Sequence, residues 1–290
     1  MADARTRVDA VLATWGGGFL DHAQQAVSAA IGYSLLGAGK RLRPTLVFAC
    51  HDAVGGLGSV AELAAAVEVV HAYSLVHDDL PCMDNDDLRR GRPTTHRAFD
   101  VPTATRAGFL MVPLAAAVLA HGFEELDLPP DRQQAIALEL FRAAGAGGMI
   151  GGQTLDLEAE GIDVSIERLA EIHERKTGAL IAAACVIGGA AGGASPGVTQ
   201  ALRGYGADIG LAFQIYDDVL DATATSDALG KTAGKDAARA KSTFVARLGV
   251  EAARREAERL AGQAVGQLQA GGVASEVLAE LAHYIVTRPN

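Results

Sequence analysis

The apolar positions of this chain recur at helical spacing and almost never alternate. Val60-Ala61-Glu62-Leu63-Ala64-Ala65-Ala66-Val67-Glu68-Val69-Val70 continues through His71 to Val76 without a breaker, and an apolar face returning every three to four residues predicts a helix. The same period predicts helices over 133–141, 166–187, 198–220, 250–261 and 275–286. Between them stand Gly55-Gly56-Leu57-Gly58, Pro129-Pro130-Asp131, the stretch from Gly192 to Gly197, and Gly271-Gly272, all residues that break regular structure. β-Branched runs are few and no Asn-Gly turn occurs, so strands are not expected. Long helices with short connections, and no linker, compositional shift or repeat, predict a single-domain all-α bundle over residues 1–290.

Composition narrows the core and the partners. Hydrophobic residues make up 49% and aromatic residues 5%, so the interior is built from Ala, Leu, Val and Ile. Lys plus Arg number 25 against 35 Asp plus Glu, a net charge of 25 − 35 = −10, which argues against general nucleic-acid binding. Cys50, Cys82 and Cys185 are odd in number and lack metal-site spacing, as in a reducing compartment. The N-terminus carries charges every few residues with no signal-peptide core. The longest uncharged stretches, 107–120 and 178–194, are too short or too rich in Gly and Ala for a membrane span. A soluble, cytoplasmic protein is expected.

Two aspartate clusters interrupt this apolar pattern. The first is His77-Asp78-Asp79-Leu80-Pro81-Cys82-Met83-Asp84, followed by Asn85-Asp86-Asp87-Leu88-Arg89-Arg90; the second is Phe213-Gln214-Ile215-Tyr216-Asp217-Asp218-Val219-Leu220-Asp221. Carboxylates held close repel one another unless a cation lies between them. All-oxygen ligands suit hard ions, Mg²⁺ above all, which proteins commonly share with substrate phosphates. On a helix Asp217 and Asp221 share a face, with Gln214 one turn earlier. His71, Ser74 or Leu75, and Asp78 form a similar stripe; Pro81 then breaks it, letting Asp84 curl back. Cys82, among carboxylates, is a bystander.

Phosphate also requires cations from the protein, and these flank the clusters: Lys40, Arg41 and Arg43 in Gly37-Ala38-Gly39-Lys40-Arg41-Leu42-Arg43-Pro44, then Arg89 and Arg90, Lys176-Thr177, and Lys231 in Gly230-Lys231-Thr232-Ala233-Gly234-Lys235-Asp236. Each alone is a weak signal; the Gly-Lys-Thr lacks the upstream glycine of a P-loop. The ordered blocks GAGKRLRP, HAYSLVHDDLPCMDNDDLRRGRPTTH, GMIGGQTLDLEAEG, HERKTGALI, FQIYDDVLDAT, GKTAGKD and KSTF resemble the trans-polyprenyl diphosphate synthases, most closely bacterial farnesyl diphosphate synthases.

That resemblance implies a helical bundle around a deep cavity, a homodimer, and head-to-tail condensation of isopentenyl diphosphate with an allylic diphosphate. It implies Mg²⁺ ions, with Mn²⁺ as substitute, on Asp78, Asp84 and Asp217, and Asp79, Asp218 and Asp221 as further or water-mediated ligands. Arg89, Lys176, Thr177, Gln214 and Lys231 match positions that bind the allylic diphosphate; Lys40, Arg43, His71 and Arg90 match those for isopentenyl diphosphate. Tyr73 and Ser74, five and four residues before Asp78, lie roughly 6–8 Å deeper along a helix. A tyrosine there, with the insertion Pro81-Cys82, implies a floor that stops growth at a short product, farnesyl diphosphate; a geranylgeranyl product is the alternative. In Ala107-Gly108-Phe109-Leu110-Met111 the family's aspartate is replaced by Phe109, a change in a supporting position. Arg288, the one basic residue of the C-terminal stretch, either closes over the bound diphosphate or belongs to a flexible surface tail. A terpene cyclase would carry an Asn/Ser/Glu metal motif second, and a non-catalytic partner subunit would have lost one cluster; both clusters stand here.

Overall fold

The computed structural model describes residues 2–18, 25–223 and 242–289. The helix predicted from residue 60 forms as α4 (Ala61–Asp78) and is buried along nearly its whole length. A helix apolar all round belongs in a core, and its Ala and Val side chains let neighbours approach closely. Before it come α1 (Ala2–Gly18), α2 (Gln25–Leu35) and α3 (Leu42–Ala53); after a short α5 (Thr95–Ala98), α6 (Val101–Glu125) lies along it. α7 (Pro130–Ala144), α8 (Met149–Glu158), α9 (Ile166–His173) and α10 (Ala179–Ala191) follow, α10 packing on α3, α7 and α11 (Pro196–Thr223). α12 (Phe244–Leu248), α13 (Val250–Ala270), laid on α11, and α14 (Glu276–Ile285) end the fold. One continuous apolar core joins these helices.

Side-chain caps mark two of the predicted starts, Ser165 accepting from the Arg168 N–H and Ser275 from Leu278, and Asp100 caps α6 by accepting from Thr103, each satisfying a donor that the first helical turn leaves over. α6 is long and apolar enough to cross a membrane, with mean hydropathy 1.5, yet half of that window is buried inside the protein.

Two local features depart from the sequence pattern. Leu88–Arg89 and Arg92–Pro93 pair antiparallel as β1 and β2, a small hairpin that the alternation test does not register. Its turn residues Arg90 and Gly91 have φ of 54° and 74°, the two positive values of a type I′ turn. The stretch 166–187, read as one helix, is interrupted by a π-turn at Glu174–Gly178. One-turn π insertions re-aim side chains and concentrate at functional sites. Both features carry cations of the predicted site.

Candidate active site

The last turns of α4 and α11 face one another across a cavity of about 800 Å³. Of the residues singled out in the sequence, Lys40, Arg43, His71, Tyr73, Ser74, Asp78, Arg89, Arg90, Lys176, Thr177, Gln214 and Asp217 all line it. Segments more than 170 residues apart in sequence, around Lys40 and Asp217, thus meet at one concave site.

The first cluster turns back on itself after α4 ends. The Asp84 N–H donates to the Asp78 carbonyl at 2.8 Å and the Asp86 N–H to the Asp79 carbonyl at 3.2 Å, so Asp84 does return to Asp78. Burial pushes the Asp78 carboxyl up to about 6, against Lys176 and Arg89, with Asp84 and Asp79 adding to the rise. Asp79 is almost wholly buried and raised by burial as well, but Arg89 opposes that shift. The Arg89 Nε donates to both Asp79 oxygens at 2.9 and 3.0 Å, a pairing set by the hairpin that aims Arg89 inward.

On the opposite wall, Asp217 receives the guanidinium of Arg288 at 2.5 Å. Arg288 is only 2% exposed, lies over the Phe213 ring at 4.1 Å, and also donates to the Ile285 carbonyl. The sequence leaves Arg288 between a surface tail and a closing residue; the structure seats it inside the site. Asp218 instead accepts the backbone N–H of Phe244 at 2.8 Å, holding the start of α12. Asp221, one turn beyond Asp217, is exposed. Lys231 lies outside the described residues.

Lys176 comes from the π-turn. Its ammonium donates to Asp156 at 2.7 Å, and Asp156, Asp78 and Asp84 raise its pKa against the opposing effect of burial. α8 approaches so closely that a Cβ on Gly152 would sit 2.2 Å from the Lys176 backbone nitrogen. Gly152→Ala is therefore expected to push the π-turn away and cost at least about tenfold in kcat/KM through misplacement of Lys176, with the far-ultraviolet circular dichroism unchanged. Wild-type kinetics in that variant would show that the close contact is not needed.

The basic wall is held from behind. Arg41, at φ 50°, donates to Glu68 at 2.7 Å, Asp9 at 2.9 Å and the Leu35 carbonyl at 2.8 Å, pinning the loop that presents Lys40 and Arg43. Arg90 donates to the Ala38 carbonyl at 2.6 Å. His71 is held well below its ordinary pKa by burial and then by Arg43, Arg90, Arg89 and Arg41; it is neutral and can hydrogen-bond without adding charge.

Asp156, Gln153 and Glu68 were not singled out in the sequence as site residues. Asp156 and Gln153 sit in the GMIGGQTLDLEAEG block, where only the spacing of three, one helical turn, hints at a shared face. Gln153 is buried, lines the cavity, and neither amide atom finds a hydrogen-bond partner. A buried polar group left unmatched beside a cavity points to a ligand's polar atoms. Glu68 reads in sequence as one more helix carboxylate.

A profile of polyprenyl synthetase matches residues 24–281. The chain belongs to this family. It is 44% identical over 274 residues, 91% of its length and 75% of the relative's, to geranylgeranyl pyrophosphate synthase 12 of Arabidopsis thaliana, a chloroplastic protein. Among solved structures, it matches a geranyltransferase of Legionella pneumophila with TM-score 0.84 and 37% identity, covering 98% of this chain and 93% of the other. An FPP/GFPP synthase of Zymomonas mobilis matches with TM-score 0.84 and 33% identity over 99% and 96%. A geranyltransferase of Helicobacter pylori complexed with magnesium and isoprenyl diphosphate matches with TM-score 0.84 and 31% identity over 98% and 94%. The bundle is the isoprenoid synthase fold of these prenyltransferases.

Proposed function

We propose that this polyprenyl synthetase joins isopentenyl diphosphate head to tail with dimethylallyl or geranyl diphosphate and releases farnesyl diphosphate. The carrying observation is that Asp78 and Asp217 line one cavity together with Lys40, Arg43, Arg89, Arg90 and Lys176. The donor set fits Mg²⁺. It is all oxygen, and burial raises the Asp78 carboxyl even with Lys176 and Arg89 beside it. Among the described residues no three His, Cys, Asp or Glu side chains converge on one point, so substrate phosphate and water would have to complete the shell of an ion held here. The Helicobacter pylori relative was solved with both kinds of ligand.

Asp78, Asp84 and Asp217 would hold the metal; Asp79 and Asp218, tied to Arg89 and Phe244, act one step behind, and Asp221 extends the second cluster. When bound, Mg²⁺ supplies neutralisation of the charge that grows on the departing diphosphate. Arg89, Lys176, Thr177 and Gln214, with Lys231, hold that allylic diphosphate, Asp156 steadying Lys176. Lys40, Arg43, His71 and Arg90 hold the isopentenyl diphosphate so that its double bond faces the allylic carbon. The apolar depth of the cavity keeps water from the cation. Released pyrophosphate takes the proton, and no protein nucleophile takes part.

Tyr73 lines the cavity below Asp78 and supports the short product. The Arabidopsis relative's name favours a second reading, geranylgeranyl diphosphate. Purified protein with Mg²⁺, labelled isopentenyl diphosphate and C5, C10 or C15 primers separates them. The C15 reading expects growth from C5 and C10 primers and none from C15; efficient C15-to-C20 extension selects the second reading, and no condensation with any primer refutes the enzyme reading. A cyclic hydrocarbon from farnesyl diphosphate alone would show a cyclase. Chelation should stop turnover and Mg²⁺ restore it, Mn²⁺ serving in part. Tyr73→Ala should lengthen the main product by at least one C5 unit.

Homodimerisation is part of the proposal. Phe109, Val112, Pro113, Ala116 and Ala120 are exposed along one face of α6, with Arg106 and Glu124 on its margin, 18 residues apart about a centre near 115. An antiparallel second copy of α6 would set Arg106 against Glu124 at both ends. Val112→Arg, placing a charge in this stripe, should convert a dimer to a monomer in sedimentation.

A further inference from the structure

Tyr73 does not stand alone at the cavity floor. It lies one helical turn before His77 on the same face of α4, and the two rings meet edge to face, centroids 5.0 Å apart and planes at 72°. His77 meets Phe109 of α6 in the same manner, at 5.5 Å and 89°. Tyr73 and His77 line the cavity, whereas Phe109 does not and is 64% exposed. Three rings therefore run from the cavity interior to the protein surface.

The middle ring has little freedom. A Cβ on Gly108 would lie 2.1 Å from the His77 Nε2, so the imidazole rests directly on the α6 backbone, and that nitrogen is 3.4 Å from the Thr105 carbonyl. Pressed against backbone below and bounded by Tyr73, the imidazole has Phe109 as its outer neighbour. Edge-to-face pairs hold rings at defined angles more firmly than aliphatic contacts do. An aspartate in place of Phe109 would offer a carboxylate but no ring to lean on.

We propose that Phe109, acting through His77, is a positioning residue for product length: the ring stack braces Tyr73 across the cavity, and removing its outer member lets the floor recede. The proposal rests on the reading of Tyr73 as the floor. A hydrocarbon pressing on Tyr73 from within is resisted by a column that ends on the α6 face proposed above to meet the second copy, so a change outside the cavity alters what is made inside it.

The test is product length from a C10 primer for wild type, Phe109→Ala, Phe109→Tyr, Tyr73→Ala and Val112→Arg, each with its sedimentation coefficient. Phe109→Ala should raise the ratio of the next longer product to the normal one by about threefold to tenfold, the scale of one lost ring pair. Phe109→Tyr, which keeps the ring, should match wild type. Lengthening by Tyr73→Ala without any change in Phe109→Ala would overturn the brace and leave the floor standing. No change in Tyr73→Ala would remove the floor, and the brace with it. Equal lengthening by Val112→Arg, which leaves the three rings intact, would assign the effect to self-association and overturn the proposal as well.

Discussion

Asp78→Asn is expected to stop catalysis and, at the same time, to stabilise the metal-free protein at pH 7.5. The catalytic loss follows from the loss of a charged ligand at the proposed metal-diphosphate site; removing one preorganised electrostatic partner costs about 10²–10³ in kcat. The stabilisation follows from burial. The Asp78 carboxyl is raised from 3.8 to about 6 in the folded protein, so the folded state binds its proton more tightly than the unfolded state. A group of this kind destabilises the fold once ionised: stability falls as pH rises from near 3.8 to near 6, and the full penalty stands above that. Asn carries no such penalty. The variant's advantage should thus be complete at pH 7.5, shrink as pH falls through 6, and vanish near 4. Calorimetric midpoints of both proteins across that range test the sign directly. Adding Mg²⁺ and a diphosphate should reverse the order, because the ligands stabilise the form that binds them. A variant less stable than wild type at pH 7.5 would defeat the burial argument, and one with full turnover would defeat the site.

Arg41→Met should unfold the protein more easily than any other single change at the basic wall. Arg41 is 5% exposed and Glu68 3%, and their ion pair spans 2.7 Å. Breaking a buried pair strands the surviving charge, at a cost of about 3–5 kcal/mol, or roughly 10 °C in Tm for a chain of this size. Arg41 also pins the loop bearing Lys40 and Arg43, so the KM for isopentenyl diphosphate should rise more than that for the allylic substrate. Replacing both partners, Arg41→Met with Glu68→Met, should recover much of the stability but not the KM. Thermal melts and steady-state kinetics separate the two effects; a single variant within about 1 kcal/mol of wild type would show the pair is not what holds the loop.

The helices expected from apolar spacing were legible from local pattern, whereas α1, α2, α3, α6 and α8 were not among those expected. α4 and α11 were expected within a few residues of their observed ends, since a helix needs only local spacing and local breakers. The π-turn at Glu174–Gly178 was not legible, because its cause is distant: it accommodates the backbone of α8 at Gly152. The hairpin escaped for a similar reason, two residues per strand being too short for alternation to register. At the site, clustered charge drew out Asp78 and Asp217 and the family resemblance drew out Lys176, whereas Asp156, Glu68 and Gln153 look like ordinary helix residues until three-dimensional packing brings them to the cavity or to a partner.

Spacing and composition alone therefore account for the fold class, since apolar periodicity compels helices, and they set out the chemistry on offer as two carboxylate clusters amid cations. What each carboxylate meets follows from the packing of distant segments. Asp79 is turned to Arg89, Asp218 to Phe244, and Asp217 to a buried Arg288. That packing also joined Tyr73 to Phe109 through His77. Spacing along a helix reports which residues share a face; what that face meets depends on the close packing of segments far apart in the chain.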